Sequence, residues 1–194
     1  MKILVLGDVM GLSGRKVLKK YLCKVIEDYK IDFSIINGEN AADDGKGITK
    51  NITDEFFSLG IDVITSGNHI WDKQETTKHI DIENRLLRPA NLPEGSPGKG
   101  FGIYLSKNKK FKVGVINLMG NVFMKKTDDV FKTAINISKK VILKKNVDFS
   151  VIDFHGEITS EKMAIGHFFD GYSTCVVGTH THIPTADTRI LEKG

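Results

Sequence analysis

The sequence predicts an α/β fold built on mainly parallel strands, and three observations carry that reading. Short β-branched apolar runs alternate with helix-like segments along the 194 residues, the pattern of parallel strands joined by helical crossovers. Nearly every apolar run ends in a carboxylate, an amide or an imidazole. One central stretch breaks the alternation with two strand-like runs in succession. That break implies a mixed sheet, or a second sheet packed on the first.

The elements follow in order. Lys2 to Gly7 (KILVLG) reads as a buried strand. Ser13 opens a helical segment in which Leu18, Tyr21, Leu22, Val25, Ile26 and Tyr29 recur at helix spacing. Asp32 to Asn37 is the next strand, Thr53 to Leu59 a helix, and Ile61 to Ser66 a third strand. Trp71 to His79 reads as a short helix. The Pro- and Gly-rich RPANLPEGSPGKG, Arg88 to Gly100, is a connector. It could line a substrate cleft, although a proline-stiffened link explains it as well. Its GKG lacks the full spacing of a P-loop and no helix follows. Phe101 to Leu105 and Phe111 to Asn117 form a hairpin across SKNKK. Val130, Ala134, Ile137 and Val141 mark a helix, Asp148 to Phe154 a strand, Ser160 to Phe169 a helix, and Thr174 to Gly178 a last strand.

Composition excludes several classes. With 40% hydrophobic and 27% charged residues, the chain is neither disordered nor fibrous. No apolar run approaches the length of a membrane span, and the N-terminus leads straight into a strand, so no secretory signal is expected. The net charge of +4 comes from dispersed lysines, which reads as solubility; nucleic acid is not indicated. Cys23 and Cys175 both read as buried free thiols, and the absence of a CxxC argues against a thiolate zinc site. A reducing, cytoplasmic setting follows. At this length, where domains run roughly 100–200 residues, one domain over 1–194 is expected.

The residues after the strands carry the functional signal. KILVLG ends in Asp8, FSIING in Glu39 and Asn40, DVITSG in Asn68 and His69, FSVIDF in His155, and CVVGT in His180 with His182 two residues on. The carboxyl ends of parallel strands share one edge, where ligands bind in open α/β folds. Taken singly, each residue has an ordinary explanation. Asp8, Glu39 and Asn40 could be cap or turn residues, Asn68 a loop residue at positive φ, and a lone histidine a structural one. His79 and His167, in helical segments, are read as structural. In the His180–Thr181–His182 segment, taken as extended, residues two apart project to the same side and reach one site.

Three imidazoles, two carboxylates and two amides, with no sulfur, suit Mn, Fe, Zn, Co or Ni. Seven candidate ligands exceed one tetrahedral ion and fit two ions sharing a bridge. In two-metal hydrolases such a pair, roughly 3.5–4 Å apart, clamps the attacking and leaving oxygens. Two divalent ions bring four positive charges, Asp8 and Glu39 two negative ones and a bridging hydroxide one more. The remaining positive charge matches a phosphodiester monoanion.

The motifs GDVMG, NGEN, SGNHIWD, RPANLP, DFHGEITSEK and GTHTHIPTADTRI, spread over the whole chain, resemble the YmdB-type branch of the calcineurin-like metallophosphoesterases. The wider superfamily has Asp-x-His at the first strand; here the stretch reads Asp8–Val9–Met10, and the branch offers an Asn after the bridging acid instead. The resemblance implies a four-layer α/β/β/α sandwich with mixed sheets. It places one metal on Asp8, Glu39, Asn40 and His182 and the other on Glu39, Asn68, His155 and His180, with Glu39 as the bridge. Two divalent transition-metal ions are implied, iron or manganese ahead of zinc. His69 becomes a non-ligand that protonates or stabilises the leaving oxygen. Apart from the resemblance, Asp72 lies one helical turn from His69 and could orient it. The implied activity is hydrolysis of cyclic nucleotides, 2′,3′-cyclic ones first and 3′,5′-cyclic ones second, by the bridging hydroxide. A metal-binding scaffold with little catalysis and a phosphomonoesterase are the alternatives. Members of the branch form homo-oligomers and run on past TADTRI, so further strands beyond Gly194 are also implied.

Overall fold

Period-2 alternation within the strands dictates how the layers stack. In the computed structural model, which describes residues 1–193, β1 (Ile3–Asp8), β2 (Phe33–Asn37) and β3 (Val63–Thr65) form a parallel sheet in the order β1-β2-β3. A second sheet has the order β4-β5-β6-β7, from β4 (Phe101–Leu105), β5 (Lys112–Met119), β6 (Phe149–His155) and β7 (Cys175–Thr179). The hairpin β4–β5 is antiparallel, whereas β5, β6 and β7 run parallel. The second sheet is therefore mixed, and the expected departure from strict alternation is this hairpin.

Adjacent residues of one strand serve different layers. Phe33, Ile35 and Val63 of the first sheet meet Val113, Val115 and Val151 of the second in a core between the sheets. Their neighbours face outward. Ile36 and Ile64 pack under α1 (Gly11–Tyr29) and α2 (Lys50–Ser58) through Leu22, Ile52 and Phe56. Ile116, Ile152 and Phe154 pack under α4 (Val130–Ser138) and α5 (Thr159–Phe168) through Val130, Ala134, Ile137 and Ile165. The result is the expected α/β/β/α stack. It also explains why β2 is buried along its whole length: both faces are covered, so the run reads as continuously apolar.

Several element boundaries differ from expectation. Helix α1 starts at Gly11, not Ser13, without a side-chain cap. The turn into it depends on Gly11, whose φ of 51° favours glycine. Tyr21 and Tyr29, expected on the apolar face, are exposed. Residues 71–75 form turns, and only Thr76–His79, α3, is helical. Both cysteines are exposed, not buried. Cys23 lies on the solvent side of α1, next to buried Leu22, and Cys175 begins the edge strand β7. The Arg88–Gly100 connector is stitched to itself, the Arg88 guanidinium donating to the carbonyls of Pro89, Ser96 and Pro97. That matches the connector reading.

At α2 the side chain of Thr49 accepts the Ile52 N–H at 3.3 Å. Thr49→Ala is expected to cost about 1 kcal/mol of stability, the usual loss for an N-cap oxygen, read from urea unfolding midpoints at unchanged slope.

Candidate metal centre

Of the parallel strands, β1 and β6 end on an expected polar group, and β2, β3 and β7 are followed at their carboxyl ends by segments that carry the others. Asp8 closes β1 and His155 closes β6. Glu39 and Asn40 follow β2, Asn68 and His69 follow β3, and His180 and His182 follow β7. Residues from the two sheets meet at one place.

His155 is fully buried and central. Its Nε2 lies 2.8 Å from Glu39 Oε1, 3.1 Å from Asn68 Oδ1 and 3.1 Å from His180 Nδ1. Four potential ligand atoms from four chain segments thus crowd one point. Glu39, His155 and His180 form a group whose ligand atoms lie within 4.8 Å of one another. A second group centres on Asp8. Its Oδ1 is 3.6 Å from His182 Nε2 and 3.7 Å from His155 Nδ1, and its Oδ2 accepts the His180 N–H at 3.0 Å. Asn40 is buried close by in the chain path, its carbonyl accepting the Gly11 N–H and its Nδ2 donating to the Gly45 carbonyl.

Three buried oxygens among these residues have no hydrogen-bond partner: Asp8 Oδ1, Glu39 Oε1 and Asn40 Oδ1. Glu39 Oε1 is near the His155 ring but not aligned for a hydrogen bond with it. Buried polar atoms are otherwise almost always satisfied, and an orphan calls for an ion or water. Orphaned oxygens together with facing imidazole nitrogens fit divalent transition-metal ions.

The electrostatics agree. Burial opposes the ionisation of Glu39, but the His155 ring and the His69 amide outweigh it and hold the carboxyl below its ordinary range. Burial also disfavours a charged His155, yet Glu39, Asp8 and Asp153 around it raise its proton affinity. The same field favours a dication. His180 is pushed the other way, by burial and by the neighbouring His155, which keeps an imidazole lone pair free to ligate.

The backbone route differs from expectation at the last strand. The segment after β7 is not extended: His180 has φ 95° and His182 φ 57°. Both side chains reach the centre because the chain turns through left-handed conformations, a strain characteristic of functional sites. Asn68, expected in that region, is not there. Gly67 keeps the centre open, because a Cβ at that position would run into the His155 ring and the Glu39 carboxylate.

His69 is placed differently. Its N–H donates to Glu39 Oε2 at 2.9 Å, and its Nδ1 lies 2.7 Å from Asp72 Oδ2. The ring is partly exposed. His79 is buried on Thr53 and the Glu75 carbonyl, away from the centre.

A supporting layer escaped the sequence reading. Asp153 is buried between the sheets. It accepts from Thr179 Oγ1 at 2.7 Å, Thr65 Oγ1 at 2.5 Å and Asn37 Nδ2 at 3.1 Å. Thr179 Oγ1 is also 2.9 Å from His155 Nδ1. Burial holds the Asp153 carboxyl above its ordinary range, against the opposing pull of His155 and the three donors. Glu157 Oε2 sits 3.1 Å from His180 Nε2. One signal could have found Asp153: it is a lone acid inside an apolar strand, two residues before His155 and so on the same strand face.

The family described as YmdB-like protein matches residues 4–194. The chain belongs to the YmdB-like family. It is 49% identical over 194 residues to a 2′,3′-cyclic-nucleotide 2′-phosphodiesterase of Bacillus subtilis, covering the whole of this chain and 72% of that protein. Among solved structures, a hypothetical protein of Thermus thermophilus superposes with a TM-score of 0.90 at 36% identity, over 100% of this chain and 73% of that one. A structure described as a novel phosphatase from Mycoplasma pneumoniae gives 0.89 at 36% identity, over 100% and 69%.

Proposed function

We propose that this YmdB-like chain is a metal-dependent phosphodiesterase that hydrolyses cyclic nucleotides, 2′,3′-cyclic ones first and 3′,5′-cyclic ones second. The observation that carries the reading is the convergence of Asp8, Glu39, Asn40, Asn68, His155, His180 and His182, three of them with orphaned buried oxygens. The contacts gather Glu39, Asn68, His155 and His180 about one point and set His182 beside Asp8; on this reading Asp8, Glu39, Asn40 and His182 hold one ion and Glu39, Asn68, His155 and His180 the other. Divalent ions, iron or manganese ahead of zinc, supply Lewis acidity and a nucleophile at neutral pH when bound there. The B. subtilis relative supports the substrate class by its name.

The chain's own groups do the rest. Asp8 and Glu39 offset part of the ions' charge, which leaves the centre attractive to an anionic diester. Thr179 fixes the His155 ring from its Nδ1 side, so Nε2 points at the centre. Asp72 faces His69 Nδ1, which holds the ring by that nitrogen and leaves Nε2 to carry the proton. That Nε2–H is the proton placed to reach the leaving oxygen. His69→Ala is expected to keep the bound metal and lower kcat on the order of 10²-fold, the usual worth of a positioned acid. Loss of metal in that variant would make His69 a ligand instead.

A steady-state assay with Mn²⁺ against 2′,3′-cyclic, 3′,5′-cyclic and noncyclic mononucleotides tests the reading. Faster turnover of monoesters would favour a phosphomonoesterase, a reading that the M. pneumoniae structure's description supports. No metal-dependent turnover would favour a metal-binding scaffold. The same proposal takes residues 1–194 as one metallophosphoesterase domain and the protein as a cytoplasmic homo-oligomer, the latter measurable by sedimentation. Among the described residues no helix is long and apolar enough to cross a membrane.

A further inference from the structure

The metal centre is lined by charged and polar groups that can read a phosphate but not a base. The loop after β5, residues 120–129, lies at its rim and carries a different chemistry. Gly120 N–H donates to the His155 carbonyl at 2.9 Å. Five residues on, Lys125 Nζ donates to the Asn68 carbonyl at 3.0 Å and lies 3.8 Å from Asp72, the partner of His69. The loop thus leaves the sheet at one candidate ligand and touches down at another. Between these two points stands Phe123, 85% exposed and held at φ 60°. A bulky residue at positive φ is a backbone outlier, and it persists only where surrounding contacts over-determine it.

Those contacts are present. Glu161, in the first turn of α5, accepts the N–H groups of both Asn121 and Val122, at 3.1 and 3.2 Å. Asn121 Oδ1 closes the loop on the N–H and hydroxyl of Thr127, and buried Asn91 holds Thr127 Oγ1 at 2.7 Å. The tip is therefore pinned on both sides, and an aromatic face is presented to solvent from a rigid mount. Phe123 lies three residues after Gly120, which is bonded to the His155 carbonyl, and two before Lys125, which reaches Asn68 and Asp72, so it stands on the segment that borders the centre.

We infer that Phe123 is the platform on which the substrate's nucleobase stacks while its phosphate occupies the metal centre. The inference rests on the phosphodiesterase reading and adds the residue that recognises the nucleoside. Stacking suits a nucleotide enzyme of broad base tolerance, since every base has a π-face. Lys125 acts as a positioning residue, tying the platform to Asn68.

The test compares adenosine 2′,3′-cyclic phosphate with ribose 2,3-cyclic phosphate, which lacks the base. The wild-type enzyme is expected to show a KM about tenfold lower for the nucleotide, the scale of one base–aromatic stack. Phe123→Ala should raise that KM to the abasic value with kcat and metal content unchanged, and Phe123→Trp should restore the difference. Lys125→Met should weaken the base preference partly, again with metal retained. A Phe123→Ala enzyme that keeps the full base preference overturns the inference alone. Wild-type enzyme inactive on both compounds removes the phosphodiesterase reading, and the inference with it.

Discussion

Glu39→Gln is expected to abolish most metal binding and to lower turnover on the order of 10³-fold or more, since the several kcal/mol that bound ions contribute go with them. The size follows from position. Glu39 is fully buried, and its carboxyl is held below the usual range against the penalty of burial. Its two oxygens face different ways: Oε1 toward the His155 ring, Oε2 toward the His69 N–H. Shared between the two proposed shells, the Glu39 carboxylate would place anionic charge in both, and the amide would supply it to neither. The fold should tolerate the change. The amide oxygen can still accept the His69 N–H, and the amide nitrogen replaces an oxygen that has no hydrogen bond to lose. Metal-free wild-type and variant proteins should therefore unfold within about 1 kcal/mol of each other, the net worth of an ordinary hydrogen bond. Elemental analysis decides the role: a variant that retains the wild-type metal count is inconsistent with a bridging Glu39.

Much of this arrangement was legible because strand periodicity and the placement of the candidate ligands come from the same local rule. In Ile35–Ile36 and Val151–Ile152 the alternation assigns one residue to the inter-sheet core and the next to a helix layer. The residue that follows such a strand has nowhere to go but the shared edge. What was not legible depends on contacts between distant segments. Ser13 looks like a helix cap, but Gly11 makes the turn by its backbone conformation. His180 and His182 read as an extended pair, yet both adopt positive φ, which no side-chain pattern encodes. Cys175 looks buried in the run CVVGT but begins an edge strand. Phe123 reads as one more apolar residue; its exposure and mount come from Glu161 and Asn91, distant in sequence. Asp153 is the instructive omission. An acid two places before His155 signals its strand face, but its partners Asn37, Thr65 and Thr179 come from three other strands.

The same partners make Asp153→Ala the most destabilising change expected. Asp153 is the common acceptor for Asn37 Nδ2, Thr65 Oγ1 and Thr179 Oγ1 in the space between the sheets. Truncation to Ala leaves those donors short of an acceptor in a site closed to bulk water, and each unsatisfied buried group costs about 1–3 kcal/mol. Thr65 keeps a weaker outlet in the Ile36 carbonyl at 3.3 Å, and Asn37 in the Ser66 carbonyl at 3.3 Å. A loss of roughly 3 kcal/mol is therefore expected rather than the full sum, measured by urea unfolding of the metal-free proteins. Asp153→Asn should not rescue it: the amide's NH₂ must face either the Thr179 hydroxyl or the Asn37–Thr65 side, where donors already point. Thr179 then loses the acceptor that orients its hydroxyl, and with it the lone pair directed at His155 Nδ1. Metal affinity should fall about 10–100-fold, the usual effect of removing the partner behind a ligating imidazole. Thr179→Val separates the two effects, because it removes only the link to His155 and its accompanying donor. If Asp153 acts through that link, Thr179→Val reproduces the affinity loss at a smaller cost in stability. Wild-type metal affinity in Thr179→Val would confine Asp153 to holding the two sheets together.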